Sequence, residues 1–350
     1  MVALDFFCGA GGLTRGLLDA GIRVRAGIDN DERLKDTYEL NNKPSLFVCE
    51  DINDIDIERL RRSARIRDDH IVMYAACTPC QPFSTLNQRR GIDDRKELLL
   101  AFGRIVRKYP PDYVLVENVP GLHNAYGREI HLKFLADLAA AGFADHDGRE
   151  IDAADYGVPQ VRKRYLLVAS RHGPIRLPGV DRGARRTVRD ALAKLPPPVF
   201  IDEKHAPALP NHVARRPRPH HIRILEAVPA DGGNRGDVID VSVLLKCHQD
   251  NPGVHKDVFS RMRWDSPAPT LTCRCTDVYC GRFAHPEEHR GLSLREAAAL
   301  QTFPPDYEFC GSFFHAAAQI GNAVPVLLAQ RLGRAVRRHM IRNVAVRRQS

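Results

Sequence analysis

No stretch of the 350-residue chain approaches the roughly 20 consecutive apolar residues that a membrane span requires, so no membrane partner is expected. The opening MVALDFFCGAGG lacks the charged-then-apolar pattern of a secretion signal, which leads to the expectation of a soluble, cytoplasmic protein. The nine cysteines are odd in number, scattered and mostly set in apolar segments, and this argues against a disulfide framework. Cys273, Cys275, Cys280, His285 and His289 cluster loosely, and Cys77 and Cys80 have CxxC spacing, but the larger cluster fits no common structural zinc pattern. No metal is therefore expected. No internal repeat is present, and the dinucleotide fingerprint G-x-G-x-x-G fails because Thr14 stands where its third glycine would be.

What the chain does have is positive charge. Lys plus Arg total 52 against 43 Asp plus Glu, a formal net charge of +9, which makes a polyanionic partner plausible on electrostatic grounds. The excess is uneven: residues 171–235 hold 13 Lys or Arg against six acidic residues, in a proline-rich stretch with little periodicity. A second domain that contacts phosphates fits this stretch, and a solvated, loop-rich insertion is the competing reading. Length and composition together predict two lobes, a catalytic domain and a smaller second domain.

Before residue 170, apolar runs and helical patterns alternate. Strands are predicted over 2–7, 22–28, 46–49, 71–76, 113–116 and 165–169, and helices over 13–20, 98–108 and 130–141. Later helices are predicted over 293–301, with Ser293 as cap and Glu296 three residues on, and over 324–338. This order predicts an α/β fold with a mostly parallel sheet, in which ligands lie beyond the carboxyl ends of the strands. Gly9, Asp29, Asp51, Cys80 and Glu117 all fall at such ends.

The turn Gly9-Ala10-Gly11-Gly12 between a strand and a helix lets a nucleotide-like ligand approach the backbone. Asp29 could accept hydrogen bonds from ribose hydroxyls and Asp51 could receive an adenine amino group, although surface or capping aspartates would look the same. Thr78-Pro79-Cys80-Gln81-Pro82-Phe83-Ser84 fixes a cysteine between two prolines just past a buried strand, a rigid placement that suits a nucleophile. A thiol is the best nucleophile among side chains even when only partly ionised; a core cysteine is the alternative.

Five segments occur in a telling order: Asp5-Phe6-Phe7-Cys8-Gly9-Ala10-Gly11-Gly12, Pro79-Cys80-Gln81-Pro82-Phe83-Ser84, Glu117-Asn118-Val119, Gln160-Val161-Arg162-Lys163-Arg164 and Gly321-Asn322-Ala323-Val324. Together they resemble the DNA cytosine-5 methyltransferase family of the bacterial restriction-modification type, over residues 5 to about 333. The resemblance implies a Rossmann-like sheet that binds S-adenosyl-L-methionine, in a catalytic domain over 1–178 plus 312–350, and a smaller target-recognition domain over 179–311. It implies that Cys80 adds to C6 of a flipped-out cytosine, that Glu117 holds or protonates N3, and that Arg164, supported by Arg162, binds O2. Cofactor contacts would come from Phe7, Gly9, Gly11, Asp29, Asp51, Ile52, Pro79, Asn322 and Val324. DNA contacts would come from Gln81, Ser84, Thr270, Leu271 and Arg274, and residues 81–97 would form a loop closing on the flipped base.

The partners so implied are double-stranded DNA and a cognate restriction endonuclease encoded nearby, with the protein a monomer associated with the nucleoid. Two positions depart from the family pattern. Asn30 stands where an aromatic residue often stacks on adenine, and Cys77 stands where a glycine is common. The competing functions are a transfer-RNA cytosine-5 methyltransferase of the same fold, an inactive DNA-binding module and a small-molecule methyltransferase. The long basic insert favours DNA, and the presence together of Cys80, Glu117 and Arg164 favours catalysis.

Overall fold

The computed structural model describes residues 1–78, 97–123, 127–181, 183–251, 253 and 256–347. The chain divides into two compact units: Met1–Tyr156 with Lys163–Asp181 and Val324–Ser350, and Gly157–Arg162 with Arg182–Ala323. Relative to a division at 178 and 312, the second unit thus takes in residues 157–162 and 312–323.

The first unit is built on seven strands: β1 (Val2–Phe6), β2 (Arg23–Asp29), β3 (Leu46–Cys49), β4 (Val72–Cys77), β5 (Tyr113–Asn118), β6 (His146–Asp152) and β7 (Lys163–Ser170). Their order across the sheet is β3-β2-β1-β4-β5-β7-β6. The pairs among β1 to β5 are parallel, and β7 runs antiparallel to both β5 and β6. The interior strands are buried on both faces, hence the near-continuous apolar runs of β1, β4 and β5. Edge strand β6 reads HDGREID and buries only Ile151, so it carries no apolar signal and periodicity does not predict it.

Helices α1 (Gly12–Asp19), α2 (Lys35–Asn41), α3 (Ile57–Ser63), α4 (Leu98–Lys108) and α5 (Arg128–Ala140) connect the strands. The strand order reverses between β1 and β4, which is where a doubly wound sheet opens a crevice at its carboxyl end. α4 follows the predicted 98–108, and Gly21 and Gly142, with φ of 80° and 88°, stand just beyond α1 and α5.

The second unit holds the short helices α6 (Val188–Leu192), α7 (Pro219–Ala227), α8 (Lys246–Asp250), α9 (Leu294–Leu300) and α10 (Phe313–Asn322), with a two-stranded pair β8 (Val199–Phe200) and β9 (Val213–Ala214). Ser293 and Glu296 form the expected capping box at α9. Buried arginines organise this unit. Arg261 donates to the carbonyls of Val228, Leu225, His285 and Glu288, Arg295 to those of Pro210, Pro304 and Tyr307, and Arg290 pairs with Glu288 and Glu296.

The final helix, α11 (Val326–Arg347), returns to the first unit and packs on α1. Gly16 makes the crossing possible, since a Cβ there would stand 2.4 Å from the Ala329 Cβ. Among the described residues no helix is long and apolar enough to cross a membrane.

Candidate active site

Two constellations lie at the carboxyl end of the sheet. The first spans the ends of β1, β2 and β3. After β1 the chain turns through Phe7, Gly9 and Gly11, whose φ values of 59°, 55° and 87° are left-handed, a conformation that glycine adopts without strain. Gly9 N–H donates to Asp29 Oδ2 at 3.0 Å and Asp31 N–H to Asp29 Oδ1 at 3.1 Å. Partial burial pushes the Asp29 carboxyl above its ordinary range, and these backbone donors pull it back.

Asp51 is held by the Asn53 backbone and side-chain amides, both at 2.9 Å, and by Asn30 Nδ2 at 3.3 Å. The Asn53 backbone N–H leads in drawing its carboxyl below the usual range. Asn30, in place of an aromatic ring, thus ties the two acids together. Ile52 is buried beside them.

The sequence reading missed Asp5. It is fully buried inside β1, accepts from Thr14 Oγ1 at 2.6 Å, and among the described residues leaves Oδ1 without a hydrogen-bond partner. Burial raises its carboxyl to about 7. The acidic residue opening the first motif was the available signal. A glycine turn with open space at the Gly9 Cβ position, two carboxylates on neighbouring strand ends and an orphaned carboxyl oxygen fit a cationic, hydroxyl-rich cofactor.

The second constellation spans β4, β5 and β7. Glu117 is 3% exposed; Arg164 Nε meets its Oε1 at 2.7 Å and the Cys77 thiol donates to its Oε2 at 2.8 Å. Register dictates both contacts. Cys77 is the direct partner of Glu117 across β4–β5, and Arg164 lies two residues from Leu166, the partner of Glu117 across β5–β7, and therefore on the same face. Asn118 Nδ2 donates to Thr78 Oγ1 at 2.5 Å. Pro79, Cys80, Gln81 and Ser84, with loop residues 81–96, lie outside the described residues.

The Arg162 guanidinium, 3% exposed, donates to carbonyls of the second unit, with Nη1 to Leu271 O at 3.0 Å and Nη2 to Gly321 O at 3.1 Å. Thr270 Oγ1 donates to Val161 O at 2.7 Å and the Leu271 N–H to Gln160 Oε1 at 3.0 Å. Leu271 is 1% exposed, so its visible work is packing. Asn322 is exposed at the end of α10, and Val324 is buried in the first unit.

Arg274 pairs with Asp277 at 2.8 Å and lies over the Tyr279 ring. Beside it the second unit opens a cleft of about 370 Å³ lined by Arg215, Arg216, Arg218, His221, Thr276 and Tyr279, among others. Arg218 is exposed at the N-terminus of α7, and among the described residues no side chain caps the helix and the buried Thr276 hydroxyl has no partner. Burial lowers His221 to about 4, so its ring is neutral near neutral pH.

Among the described residues no three His, Cys, Asp or Glu side chains gather to hold a metal ion. Cys275 turns towards Ala317 O, His285 accepts from the Glu288 N–H, and His289 contacts Arg261.

The strand order and directions make this a doubly wound, Rossmann-like sheet. A solved DNA modification methyltransferase encoded within an E. coli prophage has a similar fold, with a TM-score of 0.76 at 22% identity over 97% of this chain and 99% of that one. The chain belongs to the C-5 cytosine-specific DNA methylase family, whose model matches residues 1–338, and it is a DNA (cytosine-5-)-methyltransferase. It is 36% identical over 346 residues to the Type II methylase M.HgiDII of Herpetosiphon aurantiacus, covering 96% of this chain and 95% of that protein. It is 27% identical over 428 residues to the Type II methyltransferase M.AgeI of Thalassovita gelatinovora, covering 96% and 99%.

Proposed function

We propose that the enzyme methylates C5 of a cytosine flipped out of double-stranded DNA, through a covalent bond between Cys80 Sγ and C6. Cytosine C5 is a poor nucleophile and cannot meet a thiol while stacked in a duplex. The Cys80 thiolate adds to C6, the C5–C6 π electrons move into the ring, and C5 becomes able to take a methyl group. Glu117 engages N3 and Arg164 binds O2, so the charge pushed into the ring meets a carboxyl group and a fixed cation. After methylation C5 gives its proton to water and the thiolate leaves, which restores the ring.

The observation that carries this reading is Glu117, buried at the end of β5 and paired with Arg164 at 2.7 Å. S-adenosylmethionine supplies an electrophilic methyl group on a sulfonium centre. Phe7, Gly9 and Gly11 would receive it along the turn, Asp29 would accept from its ribose and Asp51 from its adenine, with Ile52, Pro79, Asn322 and Val324 lining the site. Asp5 adds a buried carboxyl group beneath the turn.

The second unit would recognise the target sequence through Thr270, Leu271 and Arg274, with the buried Arg162 holding the Leu271 carbonyl and with Arg218 and its cleft meeting phosphates. Gln81 and Ser84 would reach the DNA beside Cys80. The protein would act as a monomer, alongside a cognate restriction endonuclease encoded nearby, in the cytoplasm on nucleoid DNA. Duplex DNA containing 5-fluorocytosine tests the chemistry, because fluorine at C5 blocks the final elimination. Wild-type enzyme with cofactor is expected to give a denaturant-resistant protein–DNA adduct; an equal adduct from Cys80→Ser would overturn the mechanism.

A further inference from the structure

Cys77 takes no part in the mechanism above, yet its thiol lies on the group that mechanism depends on. Cys77 and Glu117 are direct register partners across the parallel β4–β5 pair, so their side chains leave the same face of the sheet about one strand spacing apart, roughly 4.8 Å. The backbone itself brings the sulfur to Glu117 Oε2, at 2.8 Å, while Arg164 holds Oε1 at 2.7 Å. A carboxylate 3% exposed is costly to bury without donors, and here each oxygen has one. The two donors differ in kind. The guanidinium is a permanent charge, whereas a thiol is a weak, neutral donor whose bond is surrendered at little cost.

We propose that Cys77 is a positioning residue for methyl transfer, whose S–H holds the Glu117 carboxylate in its working orientation and releases Oε2 to the arriving cytosine. A glycine at this position would leave that oxygen without the donor, and a lysine or arginine would compete with the base for it. A serine hydroxyl can replace the thiol. Alanine keeps the backbone and loses the donor. The proposal rests on Glu117 as the residue that engages N3.

The test is steady-state kinetics on duplex DNA for Cys77→Ala, Cys77→Ser, Glu117→Gln and the double variant Cys77→Ala/Glu117→Gln, with thermal unfolding of each. The loss of one hydrogen bond predicts that Cys77→Ala lowers kcat by roughly threefold to tenfold, with KM for DNA and cofactor within twofold of wild type. Cys77→Ser should restore kcat, and Cys77→Ala should cost nothing further in the residual activity of Glu117→Gln.

Wild-type kcat in Cys77→Ala beside a crippled Glu117→Gln would overturn the role of Cys77 while leaving that of Glu117 standing. Equal losses in Cys77→Ala and Cys77→Ser, with lowered Tm in both, would make the sulfur a packing atom and overturn the proposal too. Full activity in Glu117→Gln would remove the reading on which the proposal rests.

Discussion

Arg162 Nη2 donates to the carbonyl oxygen of Gly321 across 3.1 Å, joining residues 159 positions apart. Nη1 of the same guanidinium holds Leu271 O, so one side chain joins two of the segments that stand out in the sequence to the backbone at Leu271. Gly321 is glycine for a packing reason, because a Cβ there would stand 2.0 Å from Thr272 O. A residue of a motif read for its chemistry thus also holds the second unit together.

Removing that fastener takes a donor from the carbonyls of Leu271 and Gly321. Arg162→Ala is expected to cost about 3 kcal/mol of stability, read as a fall in Tm of several degrees, with Arg162→Lys recovering part of it. An unchanged Tm would contradict the role assigned to this side chain.

Gly16 is where α1 and α11 approach most tightly in the first unit, with a substituted Cβ 2.4 Å from Ala329 Cβ and 2.5 Å from Val326 O. Gly16→Val should destabilise by about 1–3 kcal/mol and loosen α11. Limited proteolysis should then release the C-terminal helix faster than in wild type; equal rates and equal Tm would count against the packing described.

Asp5 links stability to pH. An unfolded aspartate titrates near 3.8, whereas burial lifts folded Asp5 to about 7. Between those values the folded state binds the extra proton, so this contribution to stability is complete below about 4, declines as pH rises and is gone above about 7. The change is on the order of 4 kcal/mol at most. Asp5→Asn should remove this slope, so that its Tm relative to wild type rises from pH 5 to pH 8. Parallel Tm–pH curves would show that Asp5 does not titrate in this window.

Arg218 is exposed at the N-terminus of α7 beside the cleft of the second unit, a good position for a phosphate. Arg218→Ala should weaken DNA binding for all sequences alike and flatten the plot of log affinity against log salt by about 1. A loss confined to one sequence would instead mark a base contact.

The fold was legible where burial is two-sided or caps are explicit. β1, β4 and β5 are apolar because both faces are covered, and the Ser293–Glu296 box marks α9. β6 was not legible, since an edge strand with one buried residue has no apolar pattern. α10 could have been read from the Ser312 cap and the spacing of Phe313, Ala316, Ala317 and Ile320.

At the site, Glu117 and Arg164 were readable from order and chemistry. Their contact with Cys77 depends on strand register across 40 residues, and the inward turn of Arg162 depends on carbonyls far along the chain. The bond from Asn30 to Asp51 likewise follows from the β2–β3 pairing, which no local pattern encodes.

The claim at the centre is that the Cys80 sulfur makes C5 reactive, and bisulfite sequencing of plasmid DNA from cells expressing wild type or Cys80→Ser tests it most directly. Wild type should protect cytosines in one short sequence context and the variant should protect none. Protection of the same cytosines by Cys80→Ser would contradict the account.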